Sequence, residues 1–276
     1  MSTSAASLVP AASRRTPAHA ARPPRSRLAK PSVRAAWAWE NRKARNWWYW
    51  PALALLCAGG MAIGRATYLE YSDTFRDQGA SWLAVWGQGS ILTSMLAFPL
   101  LVEAVIAQAS ASEHQGRNWR RMAANRLQNT MLMGKLLYMT QTALLTALVF
   151  VAEFAVTGLL LGFDPAGLGP YVVRIIPITL AILAIELFVA WLGVVMTSFA
   201  SIMSTALIAT LSGCAAMFVM PPLARFYLMS LITAACASRD LDSIDSMSSI
   251  ALISVICAVW ILVWTAALRR SAARVA

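Results

Sequence analysis

Three carboxylates sit where carboxylates are expensive: Glu103, Glu153 and Glu186 fall inside long apolar stretches. A charge near the bilayer centre costs at least about 2.5–3.5 kcal/mol, so such a residue faces a cavity or a partner. Glu153 and Glu186 fit two roles equally. They line a polar translocation surface or proton relay, or they make interhelical hydrogen bonds. Glu103, near one end of its stretch, is expected to snorkel to the interface, as are Arg65 and Arg174 on the other side. A second element with chemical potential is the loop Glu113-His114-Gln115-Gly116-Arg117-Asn118-Trp119-Arg120-Arg121-Met122. As a helix it is amphipathic: Trp119 and Met122 share a face, while Arg117, Arg120 and Arg121 stay open to water or acidic partners. A short helix of this kind can carry force from a soluble partner; a solvated basic loop has the same composition. No GxxxxGK[ST], HExxH or GxSxG run occurs, which argues against an enzyme and against ATP hydrolysis on this chain. Cys57, Cys214, Cys236 and Cys257 lack CxxC spacing, and His19 and His114 are the only histidines. Neither a disulfide framework nor a metal centre is expected, and no cofactor.

The elements that must position these residues are membrane spans. Hydrophobic residues make up 59% of the chain and charged ones 13%, against roughly a quarter charged in soluble domains. Crossing a bilayer takes about 20 apolar residues in a helix, and six stretches qualify: 47–67, 82–108, 136–162, 173–198, 202–221 and 248–268. Backbone groups in hydrocarbon must be paired internally, so each is expected to be helical, giving an all-α integral membrane protein. Eighteen of the 23 basic residues precede the first stretch, lie between the second and third, or follow the sixth. By the positive-inside rule that face is cytoplasmic and carries both termini, as a multi-pass protein of the cell membrane with six spans requires. The excess of basic residues is therefore topological, and a nucleic-acid partner is not expected.

Residues 1–34 are rich in Ala, Ser, Pro and Arg and hold no acidic residue. They cannot bury enough apolar surface to fold alone and read as a disordered basic cytoplasmic tail before a six-helix membrane body over 35–276. A transit peptide has a similar composition. The run from Ala35 to Trp50 interleaves Trp37, Trp39 and Trp47–Trp50 with Glu40, Arg42, Lys43 and Arg45. It suits an interfacial helix that turns into the bilayer, or an aromatic belt beside the first span. Between the fifth and sixth spans, Pro221-Pro222 breaks the helix and Leu223–Cys236 is apolar but too short to cross. That segment is expected to be re-entrant or to lie in the outer leaflet.

Glu40-x-x-Lys43-x-Arg45 before the first span resembles the opening of type-2 ABC exporter permeases. The loop Glu113…Gly116…Trp119, followed by Lys135 at the mouth of the third span, resembles their first cytoplasmic loop, most closely in the lantibiotic-immunity and bacitracin-type branch. The likeness covers residues 35–270. Where that branch often has a glutamine in the fourth span, this chain has Glu186. What the resemblance implies is a type-2 ABC exporter permease fold serving a separate ABC ATPase subunit, which would hold ATP and Mg. It further implies a second permease chain, identical or paralogous, and a peptide or amphipathic cargo such as a lantibiotic. Glu113, Gly116, Arg117, Trp119, Arg120, Arg121 and Met122 would then form the coupling helix, and Trp39, Glu40, Lys43 and Arg45 the interfacial helix. Two other classes stay open at this point: a proton-coupled secondary transporter using Glu153 and Glu186, and a non-transporting membrane immunity protein.

Overall fold

A computed structural model describes residues 31–44, 47–115, 124–125 and 127–275. Among them every regular element is helical. Helix α1 (Val33–Lys43) starts at Ser32, whose side chain accepts from the Ala35 N–H at 3.2 Å, and ends on Arg42 and Lys43. A hydroxyl at the first turn and cations at the last are what a helix favours at its two ends. Six long helices follow: α2 (Tyr49–Glu70), α3 (Ser81–His114), α4 (Gln128–Leu160), α5 (Ile175–Val195), α6 (Phe199–Val219) and α7 (Met247–Val275). All six regions are long and apolar enough to cross a membrane.

Two of these helices run further than their apolar cores. Helix α3 continues to His114 and α4 begins at Gln128, beyond the expected ends at 108 and 136. Residues 100–115 hold neither Gly nor Pro, so nothing stops the helix where its hydropathy falls. Glu113 therefore rides on the last turn of a spanning helix. Within α3, residues Thr93–Ala97 form a π turn in which Phe98 N–H reaches Thr93 O. Pro99 follows directly; it lacks an N–H and crowds the carbonyl four residues back, a recognised cause of such a wide turn.

The most enclosed helix is α5. In its region 72% of the apolar window is buried within the protein, against 17% for α7. Residues Ala181 to Leu187 are buried without interruption, which requires a helix apolar all round. The helix packs against α7, α3 and α4, and α2 pairs with α3. The α2–α3 contact depends on missing side chains: a Cβ on Gly60 would lie 2.6 Å from Gly89 O, and one on Gly64 2.5 Å from Val85 O. Backbones approach closely in membranes where small residues meet.

The two ends of the bundle differ. At one end α1 packs on α4, His114 Nε2 donates to Gly193 O at 2.7 Å, and Trp191 Nε1 donates to Ser271 Oγ at 3.1 Å. At the other, Trp82 Nε1 donates to Asp164 O at 2.9 Å, and the segment between α6 and α7 folds back into the protein. That segment holds two short helices (Pro221–Ala224 and Leu231–Ala235) and buries Met229, Leu231, Ile232, Ala235 and Cys236. The sequence expectation of a non-crossing apolar segment corresponds to this element.

Candidate functional site: a buried ion cluster at the α1 end

Four charged residues distant in sequence meet where α1, α3 and α4 come together. Glu113 is 2% exposed at its side chain. It accepts hydrogen bonds at Oε1 from Lys43 Nζ of α1 and from Lys135 Nζ of α4. Glu40 Oε2 lies 3.4 Å from Lys135 Nζ and 3.6 Å from Lys43 Nζ. The set alternates in sign and sums to zero, the condition under which buried charges persist. Spacing explains the α1 contribution: Glu40 and Lys43 are three residues apart and share a helix face. Neighbouring polar contacts fix that face on α4: Trp37 Nε1 donates to Gln141 Oε1 at 2.9 Å, and Asn41 exchanges hydrogen bonds with Gln141. The cluster borders a cavity of about 170 Å³ that also reaches Ser110, Tyr138 and Leu268.

Of the residues singled out in the sequence, Glu40, Lys43 and Glu113 are thus brought together, and Lys135 joins them. Trp39 is 58% exposed. Arg45, Gly116, Arg117, Trp119, Arg120, Arg121 and Met122 lie outside the described residues.

The intramembrane carboxylates do not converge on this cluster. Glu186 is fully buried on α5, and neither carboxyl oxygen has a hydrogen-bond partner among the described residues. Glu153 lines a lateral groove of about 650 Å³ between α2 and α4, with Arg65 in the same groove. Two snorkelling expectations are corrected. Glu103 is fully buried and accepts from Thr210 Oγ1 of α6 at 2.6 Å; because α3 runs on for three more turns, the residue lies inside the bundle and not at the helix end. Arg174 is also fully buried. Its guanidinium donates to Ile244 O at 3.0 Å, Ala235 O at 3.1 Å and Ser243 O. The segment between α6 and α7 turns these carbonyls toward the cation, and Ser243 O also accepts from Ser246 N–H at 3.1 Å, as a carbonyl with two lone pairs can.

Sequence reasoning missed a second joint, on the opposite half of α3. Trp86 Nε1 donates to Cys236 O at 2.7 Å, Ser90 Oγ lies 2.7 Å from Ser238 Oγ, and Ser94 Oγ lies 3.3 Å from the same hydroxyl. The spacing Trp86–Ser90–Ser94 places all three on one helix face, the only signal the sequence carried. Helix α3 is therefore clasped at both ends: to α1 and α4 through Glu113, and to the folded-back segment through Trp86 and Ser90.

A scan against models of known protein families finds no match, and a search of curated proteins finds none either.

Proposed function

We propose that this chain is the membrane-spanning permease subunit of an ATP-driven ABC exporter that expels a membrane-active peptide from the cell membrane. The observation that carries the reading is the Glu40–Lys43–Glu113–Lys135 cluster. It ties the last turn of α3, at the entrance to the 113–122 loop, to the helix before the first span and to the mouth of the third. Those are the three places where the sequence resembles type-2 exporter permeases. In this account the basic α1 end is cytoplasmic, the loop is the coupling helix, and ATP and Mg are held by a separate ATPase chain. Six spans line a pathway together with a second permease chain.

The cluster gives the coupling step a physical form. Closure of the ATPase pair pushes on the loop, and Glu113 prevents α3 from moving without α1 and α4. Because α3 also grips the segment between α6 and α7 through Trp86 and Ser90, displacement at one face reaches the other. Export then follows from differential affinity of ATP for the two arrangements. Cells carrying this chain with an intact partner ATPase should survive a membrane-active peptide that kills cells whose ATPase is catalytically dead. Equal survival of both would replace export by sequestration.

One observation favours a second reading. Glu186, buried and without a hydrogen-bond partner among the described residues, suits a proton-coupled transporter. That reading requires transport by the chain alone, collapsed by a protonophore and indifferent to ATP.

A further inference from the structure

At the end of the bundle opposite α1, a cavity of about 380 Å³ opens between the end of α6, the folded-back segment and the start of α7. Its lining is divided in character. The lining carries Arg225, Arg239 and Asp240 from the folded-back segment, and α7 adds the hydroxyls of Ser248 and Ser249 together with the apolar Leu252. Arg239 donates one N–H to Met217 O and lies 4.8 Å from the Phe218 ring. A guanidinium has five N–H donors, so this anchoring fixes the group and leaves donors for a ligand. Arg225 meets Asp240 at 3.4 Å, with both side chains more than half exposed. An exposed pair of this kind is worth about 0–1 kcal/mol, little enough for a better acceptor to replace it. Asp242 and Asp245 belong to the same loop but lie outside the lining, and Arg174 adds a cation beneath it.

Two arginines against one aspartate leave the lining with a single positive charge, which one phosphodiester would neutralise. The apolar lining does not end at the cavity. Below Leu252, Val255, Val259 and Leu262 are all exposed along one side of α7, at the three- and four-residue spacing of a continuous helix stripe. A ligand with a phosphate in the cavity and an acyl chain on this stripe would satisfy both. Arginine also suits phosphate better than lysine, because its planar fork can bond two oxygens at once.

We infer that this cavity is a binding site for one phosphate-bearing lipid, with the phosphate held by Arg225 and Arg239 and an acyl chain leaving along Leu252. The inference holds whether or not the chain is an exporter, since it rests on this end of the fold alone. The test uses the full chain purified in mild detergent, delipidated and followed by native mass spectrometry. Phosphatidylglycerol should remain bound at one copy per chain, at least 10-fold more tightly than either diacylglycerol or glycerol 3-phosphate. The Arg225→Gln, Arg239→Gln variant should lose that copy at least 10-fold. The Leu252→Trp variant, which keeps both arginines and blocks the exit of the chain, should lose it too. If the double variant does not elute as a folded species, Arg225→Gln alone and Leu252→Trp decide. Equal retention by wild type and variants would overturn the site. Diacylglycerol binding as well as phosphatidylglycerol would reduce it to an apolar groove. Glycerol 3-phosphate binding as well would make it a site for a soluble phosphate.

Discussion

Lys135 on α4 donates to Glu113 on α3, and the same carboxylate oxygen also receives Lys43 from α1. One acceptor therefore holds three helices together. Removing the charge at Glu113 leaves Glu40 as the one carboxylate of the cluster for its two lysines. Breaking a buried pair by deleting one partner costs about 3–5 kcal/mol. The low end applies here, since the lysines retain 15% and 21% exposure. Glu113→Gln should lower the thermal midpoint of the purified chain, and Lys43→Met should lower it less, because Lys135 still neutralises Glu113. Equal midpoints for wild type and Glu113→Gln would remove the cluster from the stability of the fold.

Arg174 supplies three of the hydrogen bonds that hold the segment between α6 and α7. Bonds from a charged donor contribute about 1.5–3 kcal/mol each. In Arg174→Gln this segment should loosen while the spans stay intact. Cys236 reports the change, being fully buried. In a chain retaining only that cysteine, maleimide labelling should be slow in the wild type and at least 10-fold faster in Arg174→Gln. Unchanged labelling would mean that the contacts of Trp86 and Ser90 suffice to hold the segment.

The α2–α3 contact provides a paired test. A Cβ on Gly64 meets the backbone of Val85, which cannot move away, whereas one on Gly59 meets nothing within 4 Å. Overpacking costs about 1–3 kcal/mol, so Gly64→Ala should destabilise the protein by that amount. Gly59→Ala should be neutral or slightly stabilising, since alanine favours a helix by about 1 kcal/mol over glycine. Equal melting of the two variants would contradict the close approach.

Both oxygens of Glu186 are buried without partners among the described residues, within an apolar helix. Leaving a buried polar group unsatisfied costs about 1–3 kcal/mol. Glu186→Leu should therefore raise the thermal midpoint. A lowered midpoint would show that the carboxyl has a partner in the membrane, and loss of export in this stabilised variant would place it on the pathway.

Apolar length made the six long helices legible, because it is a property of single segments. The break after α6 was legible for the same reason: Pro221-Pro222 and the short run to Cys236 are local. Helix ends were less so, since α3 and α4 continue through polar residues that hydropathy excludes but helix propensity accepts. Side-chain depth was least legible. Arg174 and Glu103 sit near the ends of apolar runs and read as snorkelling, but their partners, Ser243, Ile244 and Thr210, come from segments tens of residues away. The meeting of Glu40, Lys43, Glu113 and Lys135 was half-visible: the sequence marked each residue, and only tertiary packing of α1 on α4 brings them to one point.

The most direct test is to recover the chain from its native membranes in mild detergent and assay ATP hydrolysis in what comes with it. The account predicts a stoichiometric partner bearing a GxxxxGK[ST] phosphate loop, with ATP turnover that Glu113→Ala in the permease uncouples from export without releasing the partner. A chain recovered without any ATPase, and transporting when ATP is absent, would contradict it.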